Sequence, residues 1–592
     1  MVNTSRQIGR GLALAVLITL ATAVTSHLMG RGRDVSHALT DGFQLSYYVA
    51  VALAAAVALA TFVRRSDGAG GGERVARRVR IVRITFAVAA VVVCFVATDF
   101  AVGLPTSSPI GAYTTRGAYT FVSAPTLHPP IVRADASKPG WLQHGYVFTA
   151  DFYNPSIPGS MVGQSGPLIL DQGLSPVWFQ PAPENVLAAN LSLQTYEGRP
   201  VLAWWQGVIN SVGFTTSGEY VVVDQHYTPV ARLRGVNGWV LALHDFVIRG
   251  DDGWVTANKN VRVNLSRDGG AKHQMVLDSA VQEYNLKTGK LVRSWDALDH
   301  VPLSESWVPA PSDGSLWDPY HLNSIDLPGD GTFVISMRNT WAAYKVDIAT
   351  GKIEWTLGGK HSSFKLGSGA AFQWQHDVTV YPGTPLVTVF DDHCCQATAS
   401  GNTVPATGPS RGLVLKLDAT THGASLVDQY RRSAPLDSEF MGNIEPLPGG
   451  NEFLGWGSLG RFSEYTAAGR TLLDAVLPGS DVTYRANVEP WVGLPLYPPS
   501  GAARRQGGGT TVYASWNGAT EVASWRVLAG WSSKALVPVA TAPKRSFETA
   551  IAVSPRYHMF RVQALNRSGS VIGTSESFTV VPDLPTGTLL RR

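Results

Sequence analysis

Alternating apolar and polar positions dominate the chain after about residue 140. Runs of this kind are separated by polar turns that contain glycine, as in VQEYNLKTGKLVRSWD, AAYKVDIATGKIEWTLGG, LVLKLDATTHGASLVDQY and RFSEYTAAGRTLLDAV. A period of two is that of a half-buried strand, and a short polar turn between two such runs predicts a β-hairpin. Two weaker copies, GPLILDQGLSPVWFQ and LSLQTYEGRPVLAWWQG, precede them.

A second phrase precedes each of the four stronger hairpins: HDFVIRGDDGWVTANKN, HLNSIDLPGDGTFVISMRN, QHDVTVYPGTPLVTVFDD and GNIEPLPGGNEFLGWGS. Two hairpins make a four-stranded unit, and a spacing of roughly 50 to 75 residues is typical of β-propeller blades. We therefore predict an all-β fold with a six-bladed β-propeller over residues 141–500. The pattern changes after PWVGLPLYPPS, and residues 505–582 predict a C-terminal fibronectin III-like or immunoglobulin-like β-sandwich.

Residues 1–100 differ in kind from the rest of the chain. GLALAVLITLATAVTSHLMG, FQLSYYVAVALAAAVALATFV and IVRITFAVAAVVVCFVATDF are each close to the roughly 20 residues that cross a bilayer. They predict a membrane anchor of three transmembrane helices. The first segment alternatively fits a cleaved signal peptide, because Arg6 and Arg10 precede its apolar core.

The charge pattern of the anchor predicts its orientation. Seven arginines lie between Arg64 and Arg83, in and beside the loop that joins the second and third segments. The positive-inside rule places that loop in the cytoplasm, so the C-terminal domains are expected to be extracytoplasmic at the cell membrane, with the lipid bilayer as a partner. Residues 101–140 are rich in Pro, Ser, Thr and Gly and predict an extended linker.

Composition narrows the function classes. The formal net charge is +4 for 592 residues, with no basic block in the C-terminal part, so no nucleic-acid partner is expected. The chain has 3 cysteines, of which Cys394 and Cys395 are adjacent. Adjacent cysteines close only a strained vicinal disulfide, so no disulfide framework is predicted and their oxidation state stays open. With His393 they supply too few ligands for a metal site.

The most informative positions are the histidines that open the repeated phrase. His244, His321 and His376 begin three copies, and Asn443 takes the place in the fourth. Inner strands of a propeller border one channel, so residues at the start of these strands are expected to converge. Each histidine alone could simply cap a strand, but three at one repeat position favour a site. Arg338, at the end of the following strand, could reach the same place, or could instead face outward in an ion pair.

Imidazoles, a guanidinium and amides suit the binding and transfer of an oxyanion. No carboxylate stands out among them, so the pattern does not match a metal centre or a glycosidase. A neutral imidazole can act as a nucleophile, and a second can move a proton. The residues therefore fit sulfuryl or phosphoryl transfer. The sequence lacks a Gly-rich phosphate loop and an acidic magnesium cluster, which argues against a nucleotide donor.

HLNSID, SMRN, DIATGKIEWTLGGKHSSF, FQWQHD and GNIEPLPGGNEFLGWGS resemble the arylsulfotransferase family over residues 120–500. The resemblance implies a propeller that moves a sulfuryl group from an aryl sulfate donor to a phenolic acceptor, independently of PAPS and without a cofactor or metal. It implies that His376 becomes transiently sulfated, and that His321, Asn323, Arg338 and His244 complete the site. The membrane anchor, the added sandwich and the DDHCC segment depart from the family's better-known bacterial members.

Two alternatives remain open from the sequence. The exported propeller could be a non-catalytic module that binds a cell-envelope ligand through the same funnel. It could also be a lyase or hydrolase that acts on an envelope polysaccharide, which would require a carboxylate pair or a metal. The sequence leaves the physiological donor and acceptor and the oligomeric state unassigned.

Overall fold

The computed structural model describes residues 113–581, apart from gaps at 139–140, 143–144, 156–160, 211–213, 267–270, 313, 394–395, 398–402, 405–407, 507–508 and 555. These residues all belong to one compact unit, Ser108–Arg592. The described part is nearly all β, as the sequence predicts. Its helical segments are one α-helical turn, Ala297–His300, and three 3-10 segments, Leu303–Glu305, Arg338–Thr340 and Gly457–Leu459.

Six sheets of four or five strands occupy the described residues between 133 and 489, and we number them 1 to 6 in chain order. Sheets 2, 3 and 4 each consist of four consecutive antiparallel strands. The strands of sheet 2 are Leu187–Tyr196, Arg199–Ile209, Thr215–Val223 and Pro229–Arg234. Those of sheet 3 are Val240–Arg249, Asp252–Val263, Gln274–Asn285 and Lys290–Asp296. Those of sheet 4 are Leu322–Asp326, Thr332–Met337, Ala342–Asp347 and Ile353–Gly358.

Sheets 1, 5 and 6 each include a strand that is distant in sequence or added at an edge. Sheet 1 contains Tyr146–Phe152, Gly166–Leu170 and Pro176–Phe179, with Val482–Thr483 and Asn487–Glu489 paired to its first strand. Sheet 5 contains His376–Val380, Leu386–Asp391, Arg411–Asp418 and Gly423–Tyr430, with Lys365–Leu366 at its edge. Sheet 6 contains Asn443–Pro446, Glu452–Gly455, Arg461–Tyr465 and Thr471–Val476, with Arg133–Ser137 at its edge.

The hairpins predicted from the alternating pattern are confirmed. The four strong copies form the third and fourth strands of sheets 3 to 6, and the two weaker copies form hairpins in sheets 1 and 2. Local turn chemistry explains two of them, because the side chains of Asn285 and Asp347 accept backbone N–H groups three residues on. Gly289 and Gly351 then supply the positive φ that these turns require.

Successive sheets pack face to face through apolar clusters. For example, Trp254 and Val281 of sheet 3 join Phe333 of sheet 4 in one buried cluster. The last and first sheets are joined in the same way, since Phe453 of sheet 6 shares a cluster with Phe179 of sheet 1. Thr332–Met337 is entirely buried because neighbouring sheets cover both of its faces, and most of its residues are accordingly apolar.

Hydrogen bonds from the backbone of one sheet to side chains of the preceding sheet reinforce this order. Each of the six interfaces between successive sheets, including that from sheet 6 to sheet 1, has a side-chain oxygen that accepts a backbone N–H of the following sheet. The acceptor and donor pairs are Ser165 and Ala188, Gln194 and Ile248, Asp245 and Ile325, Asp326 and Val380, Asp377 and Ile444, and Glu445 and Val488. These polar side chains therefore have a structural role.

Two further sheets follow residue 499. One contains Ser500–Gln506, Gly509–Ser515 and Glu548–Val553, and the other contains Ser524–Gly530, Val537–Pro543, Met559–Leu565, Val571–Thr574 and Phe578–Thr579. Trp525, Val527 and Phe560 lie at the centre of their common apolar cluster. In the described residues, no named strand of these two sheets pairs with a strand of sheets 1 to 6.

The prediction of an extended linker over residues 101–140 is wrong for Arg133–Ser137. This segment pairs antiparallel with Thr471–Val476 and completes sheet 6, because an unpaired edge would leave its backbone groups without partners. Tyr113–Thr114 also pairs, in parallel, with Met161–Val162. The three predicted transmembrane segments lie outside the described residues. Between residues 113 and 581, no described helix is long and apolar enough to cross a membrane.

Candidate functional site

Three histidines that are far apart in sequence meet in the structure. The ring centroids of His244 and His321 are 4.9 Å apart, and those of His321 and His376 are 6.5 Å apart. His244 lies within the first strand of sheet 3, His321 directly precedes the first strand of sheet 4, and His376 begins the first strand of sheet 5. The convergence expected from the repeated phrase is therefore observed for all three imidazoles.

Bulges and left-handed backbone angles near the three histidines direct their side chains toward one another. The strand pairing of His244 is interrupted by a bulge between Leu241 and Phe246, and a register shift follows His376. His321 has a φ of 52° and Asp377 a φ of 51°, both in the left-handed region. Bulges re-aim side chains, and strained backbone of this kind is characteristic of functional sites.

His376 is held at both ring nitrogens. Its Nδ1 lies 2.6 Å from Oδ2 of Asp392, and the backbone N–H of Met441 donates to Nε2 over 3.3 Å. Because Nε2 accepts a hydrogen bond, the ring proton lies on Nδ1 and is donated to Asp392. His376 is therefore set up as a neutral imidazole whose Nε2 lone pair is the one that a reaction could use.

The surroundings of His376 also favour its neutral form. The side chain is 1% exposed, and burial holds its pKa well below the usual value of 6.5. The positive charge of Arg338 and the neighbouring His321, His244 and Arg485 lower the pKa further. Burial raises the pKa of Asp392 well above its ordinary range, while Arg338 acts in the opposite direction.

His321 has the same kind of hydrogen bond but a more open position. Its Nδ1 lies 2.6 Å from Oδ2 of Asp318, whose Oδ1 also accepts the backbone N–H of His321. The side chain is 22% exposed, and Phe214 lies 6.5 Å away between ring centroids. Asp318 is thus placed to orient this imidazole and to stabilise a positive charge on it.

His244 packs between His321 and Tyr484, with ring centroids 4.9 and 5.6 Å away. Burial and the neighbouring His321 hold its pKa well below 6.5, so this ring is neutral at physiological pH. Its Nδ1 is buried and has no hydrogen-bond partner among the described residues. A buried nitrogen without a partner is costly, which makes this atom a candidate contact for a ligand.

Arg338 lies inside the site and does not face outward. The residue is 5% exposed, and Nη2 donates to the carbonyl oxygen of Glu439 over 2.8 Å. Its guanidinium carbon lies 4.8 Å from the ring centroid of Trp374, a cation–π contact. Burial lowers its pKa, whereas Asp392 and Asp318 raise it, and an arginine remains charged in this setting.

The two predicted asparagines have backbone partners in the next sheet. Nδ2 of Asn323 donates to the carbonyl oxygen of Gln375 over 2.7 Å, directly before His376. Asn443 pairs through both amide atoms with the backbone of Ala486. Asn443 thus resembles Asn323 in its contacts, and the structure gives it no contact with the three imidazoles.

The expectation that no carboxylate stands out in the site is wrong. Asp392 and Asp318 hold two of the imidazoles, while Asp245 and Asp377 follow site histidines and bind Arg485. The repeated HD dipeptides and the spacing of Asp318 and His321 were signals for three of these. Arg485 and Tyr484 have no such signal, because they lie in a connection of sheet 1 that is more than 100 residues downstream of His376.

Within residues 113–581, leaving aside the gaps, no group of three or more His, Cys, Asp or Glu side chains is placed to hold a metal ion. Cys394 and Cys395 lie outside the described residues. His393 belongs to a separate cluster, in which its Nδ1 and the guanidinium of Arg411 both contact Asp391.

Residues 192–477 match the family model of the arylsulfotransferases (ASST). The matched range spans just under half of the chain and contains all five residues predicted for the site. The match supports an arylsulfotransferase-like function at the family level. It extends neither to the residues before sheet 2 nor to the two C-terminal sheets.

Solved structures give only distant similarity. A protein of unknown function from Bacteroides caccae aligns at 10% identity and a TM-score of 0.35, over 58% of this chain and 99% of that one. A hypothetical selenium-binding protein from Sulfolobus tokodaii aligns at 12% identity and a TM-score of 0.34, over 74% and 96%. The Dos1 propeller aligns at 9% identity and a TM-score of 0.27, over 64% and 86%. No curated protein matches this chain at a significant level.

Proposed function

We propose that this protein is a PAPS-independent aryl sulfotransferase that moves a sulfuryl group from an aryl sulfate to a phenolic or other hydroxyl acceptor. The observation that carries the proposal is the convergence of His244, His321 and His376 from three sheets beside the buried Arg338. The family match supports the reaction class.

His376 is the proposed nucleophile. Nε2 attacks the sulfur of the aryl sulfate, the bond from sulfur to the aryl oxygen breaks, and a sulfohistidine and a phenolate result. Asp392 accepts the Nδ1 hydrogen bond and stabilises the positive charge that develops on the ring during attack. The hydrogen bond from Met441 to Nε2 must open before the attack, because both use the same lone pair.

His321 is the proposed proton carrier. Its partner Asp318 and its partial exposure allow it to hold a positive charge, whereas His244 is kept neutral by burial and by neighbouring cations. His321 would protonate the departing phenolate and then remove the proton of the incoming acceptor. The acceptor oxygen attacks sulfur, the sulfur–nitrogen bond breaks, and His376 is regenerated.

The negative charge on the sulfuryl oxygens must be stabilised by cations and hydrogen-bond donors at the site. Arg338 supplies the nearby positive charge, and His244 can hydrogen-bond through the nitrogen that has no protein partner. These interactions contribute most when the group is planar and in transit between oxygen and nitrogen. Asn323 acts indirectly, since its amide holds the backbone next to His376.

The test is to mix the intact protein with an aryl sulfate alone and to measure the mass of the peptide that contains His376. The proposal expects a gain of one sulfuryl group on that peptide, together with stoichiometric release of the phenol. The His376→Asn variant is the matched control and should release none. Binding of the aryl sulfate without phenol release would instead identify the protein as an exported binding module and would overturn the proposal.

The architecture that we propose for this activity is a six-bladed β-propeller followed by a fibronectin III-like sandwich. Six sheets joined in order, with sheet 6 linked back to sheet 1 through Glu445 and Val488, support the blade number. We also propose that residues 1–100 anchor the protein in the cell membrane with the sheets outside. A protease added to intact cells should then release the C-terminal part, and cleavage confined to the loop between Arg64 and Arg83 would refute this orientation.

A further inference from the structure

A second buried guanidinium connects the inner strands of four sheets. Arg485 lies between the two strands of sheet 1 that come from the end of the repeat region. Its Nη2 lies 3.0 Å from Oδ2 of Asp245 in sheet 3 and 3.3 Å from Oδ1 of Asp377 in sheet 5. The same Nη2 lies 3.4 Å from the carbonyl oxygen of Asn323 in sheet 4.

Both carboxylates are fixed on their other side as well. Asp245 accepts the backbone N–H of Ile325, and Asp377 accepts that of Ile444. Each aspartate directly follows a site histidine in the chain, namely His244 and His376. A single guanidinium therefore sets the relative positions of two backbone segments that carry imidazoles of the site.

We propose that Arg485 is a positioning residue that holds His244 and His376 in register and keeps a fixed positive charge beside both rings. The inference rests on the proposed function of the site. Arg485 acts through the two aspartates and does not itself touch the reacting atoms. A planar guanidinium is needed because it can address two carboxylates and a carbonyl from one place.

The charges around the two rings favour this role. The pKa of His376 is lowered by burial first and then by Arg338, His321, His244 and Arg485, with Asp392 bound at Nδ1. The pKa of His244 is lowered by burial, His321, Arg485 and Arg338. Arg485 is thus the cation that both rings share with Arg338.

The surroundings of Arg485 favour its charged form. Asp245, Asp377 and Tyr484 raise its pKa above the usual arginine value, although burial acts against this. The guanidinium lies 5.4 Å from the ring centroid of Tyr484, whose hydroxyl donates to the carbonyl oxygen of Asn323. A buried ion pair of this kind adds little to the free energy of unfolding. This is consistent with a role in fixing the geometry of the site.

The test compares Arg485→Gln and Arg485→Lys with the wild type in the absence of substrate. Histidine rings labelled with ¹⁵N are titrated by NMR, and the resonances of His244 and His376 are assigned from their asparagine variants. Loss of the cation in Arg485→Gln should raise the pKa of both rings by about one unit. Arg485→Lys keeps the charge and should leave both titrations within a few tenths of a unit of the wild type.

Activity provides the second readout. Arg485→Lys should lower kcat by about 10-fold with KM nearly unchanged, because an ammonium group cannot bridge two carboxylates in the same geometry. Arg432→Gln is the matched control, since Arg432 also forms a largely buried ion pair, with Asp474. The control should leave the histidine titrations and kcat unchanged.

The outcomes separate this proposal from the proposed function. Absence of sulfuryl transfer in the wild type would refute the function, while the titration would still decide the role of Arg485. Wild-type histidine titrations in Arg485→Gln, or the same shifts in Arg432→Gln, would overturn the positioning role. If Arg485→Gln does not fold, a wild-type kcat in Arg485→Lys overturns it instead.

Discussion

Sheets 5 and 4 each contribute a histidine that is hydrogen-bonded to an aspartate, but the two pairs have different surroundings. In each, a histidine Nδ1 lies 2.6 Å from an aspartate Oδ2: His376 with Asp392, and His321 with Asp318. The side chain of His376 is 1% exposed, whereas that of His321 is 22% exposed. The histidine–aspartate distance is therefore the same in the two pairs. The pairs differ in how far solvent reaches the imidazole.

In the proposed mechanism, the difference in burial separates the roles of the two histidines. A charged imidazole is costly to bury, so the pair in sheet 5 keeps a neutral ring with an available lone pair, which is what a nucleophile needs. The pair in sheet 4 is partly exposed to solvent. In the proposed mechanism, the same histidine–aspartate hydrogen bond therefore serves a nucleophile in sheet 5 and a proton carrier in sheet 4.

The largest expected effect comes from removing the buried imidazole. His376→Asn should lower turnover of an aryl sulfate by about 10⁴-fold or more, because the proposed covalent intermediate forms on the imidazole that this change removes. The change is measured as phenol release in the presence of a phenolic acceptor, with thermal unfolding to show that the fold is retained. Turnover close to that of the wild type would show that His376 is not the nucleophile.

Replacing the two aspartates tests the comparison directly. Asp392→Asn should lower kcat by about 10³-fold, because the amide no longer stabilises the tautomer with a proton on Nδ1. Asp318→Asn should cost only about 10-fold, because solvent can replace part of its contribution to His321. The two variants are compared under identical conditions with kcat for one donor. Equal losses would show that exposure does not separate the two pairs.

Arg338 lies close enough to influence both aspartates, and its shape matters as well as its charge. Arg338→Lys should lower kcat/KM by about 10²-fold, since an ammonium group cannot reproduce the planar donors or the contact with Trp374. Trp374→Phe is the matched variant, because it keeps an aromatic face and should lose only a few-fold. Steady-state kinetics with one aryl sulfate measure both losses. An equal loss of kcat/KM in Arg338→Lys and Trp374→Phe would contradict the prediction.

The smallest effect is a displacement of the pH profile. The reference pKa of a histidine would place the acid limb near pH 6.5, but burial and Arg338 lower the pKa of His376, so kcat/KM should stay high at pH 6 and fall only in stronger acid. His376 and His244 bind fewer protons when folded than when unfolded, so stability should decrease as the pH falls below about 6.5. Unfolding is therefore measured at each pH, and an acid limb at or above pH 6.5 in folded protein would contradict the prediction.

Much of the secondary structure could be predicted because its causes are local. The alternation of apolar residues and the turns at Asn285 and Asp347 identify hairpins without reference to distant parts of the chain. The strand Arg133–Ser137 was missed for the opposite reason. Its partner, Thr471–Val476, lies more than 300 residues away, and its own residues are mostly exposed and show no apolar face.

The candidate site divides in the same way. His244, His321 and His376 could be identified because they recur at one place in a repeat, Arg338 because it ends the strand that follows His321, and Asn323 because of its family motif. Asp392 and Arg485 could not, because their hydrogen-bond partners are fixed by tertiary packing. Asn443 shows the limit of repeat reasoning, since its amide pairs with Ala486 and not with the imidazoles.

The sequence by itself determined the hairpin strands, their turns and the residue types of the site, since these depend on periodicity and on backbone preferences over a few residues. Only the tertiary structure decided which imidazole is neutral, which carboxylate holds it and which arginine lies beside it. Those properties depend on burial and on distances of a few ångströms between sheets. Both arise only when strands that are 50 to several hundred residues apart pack together.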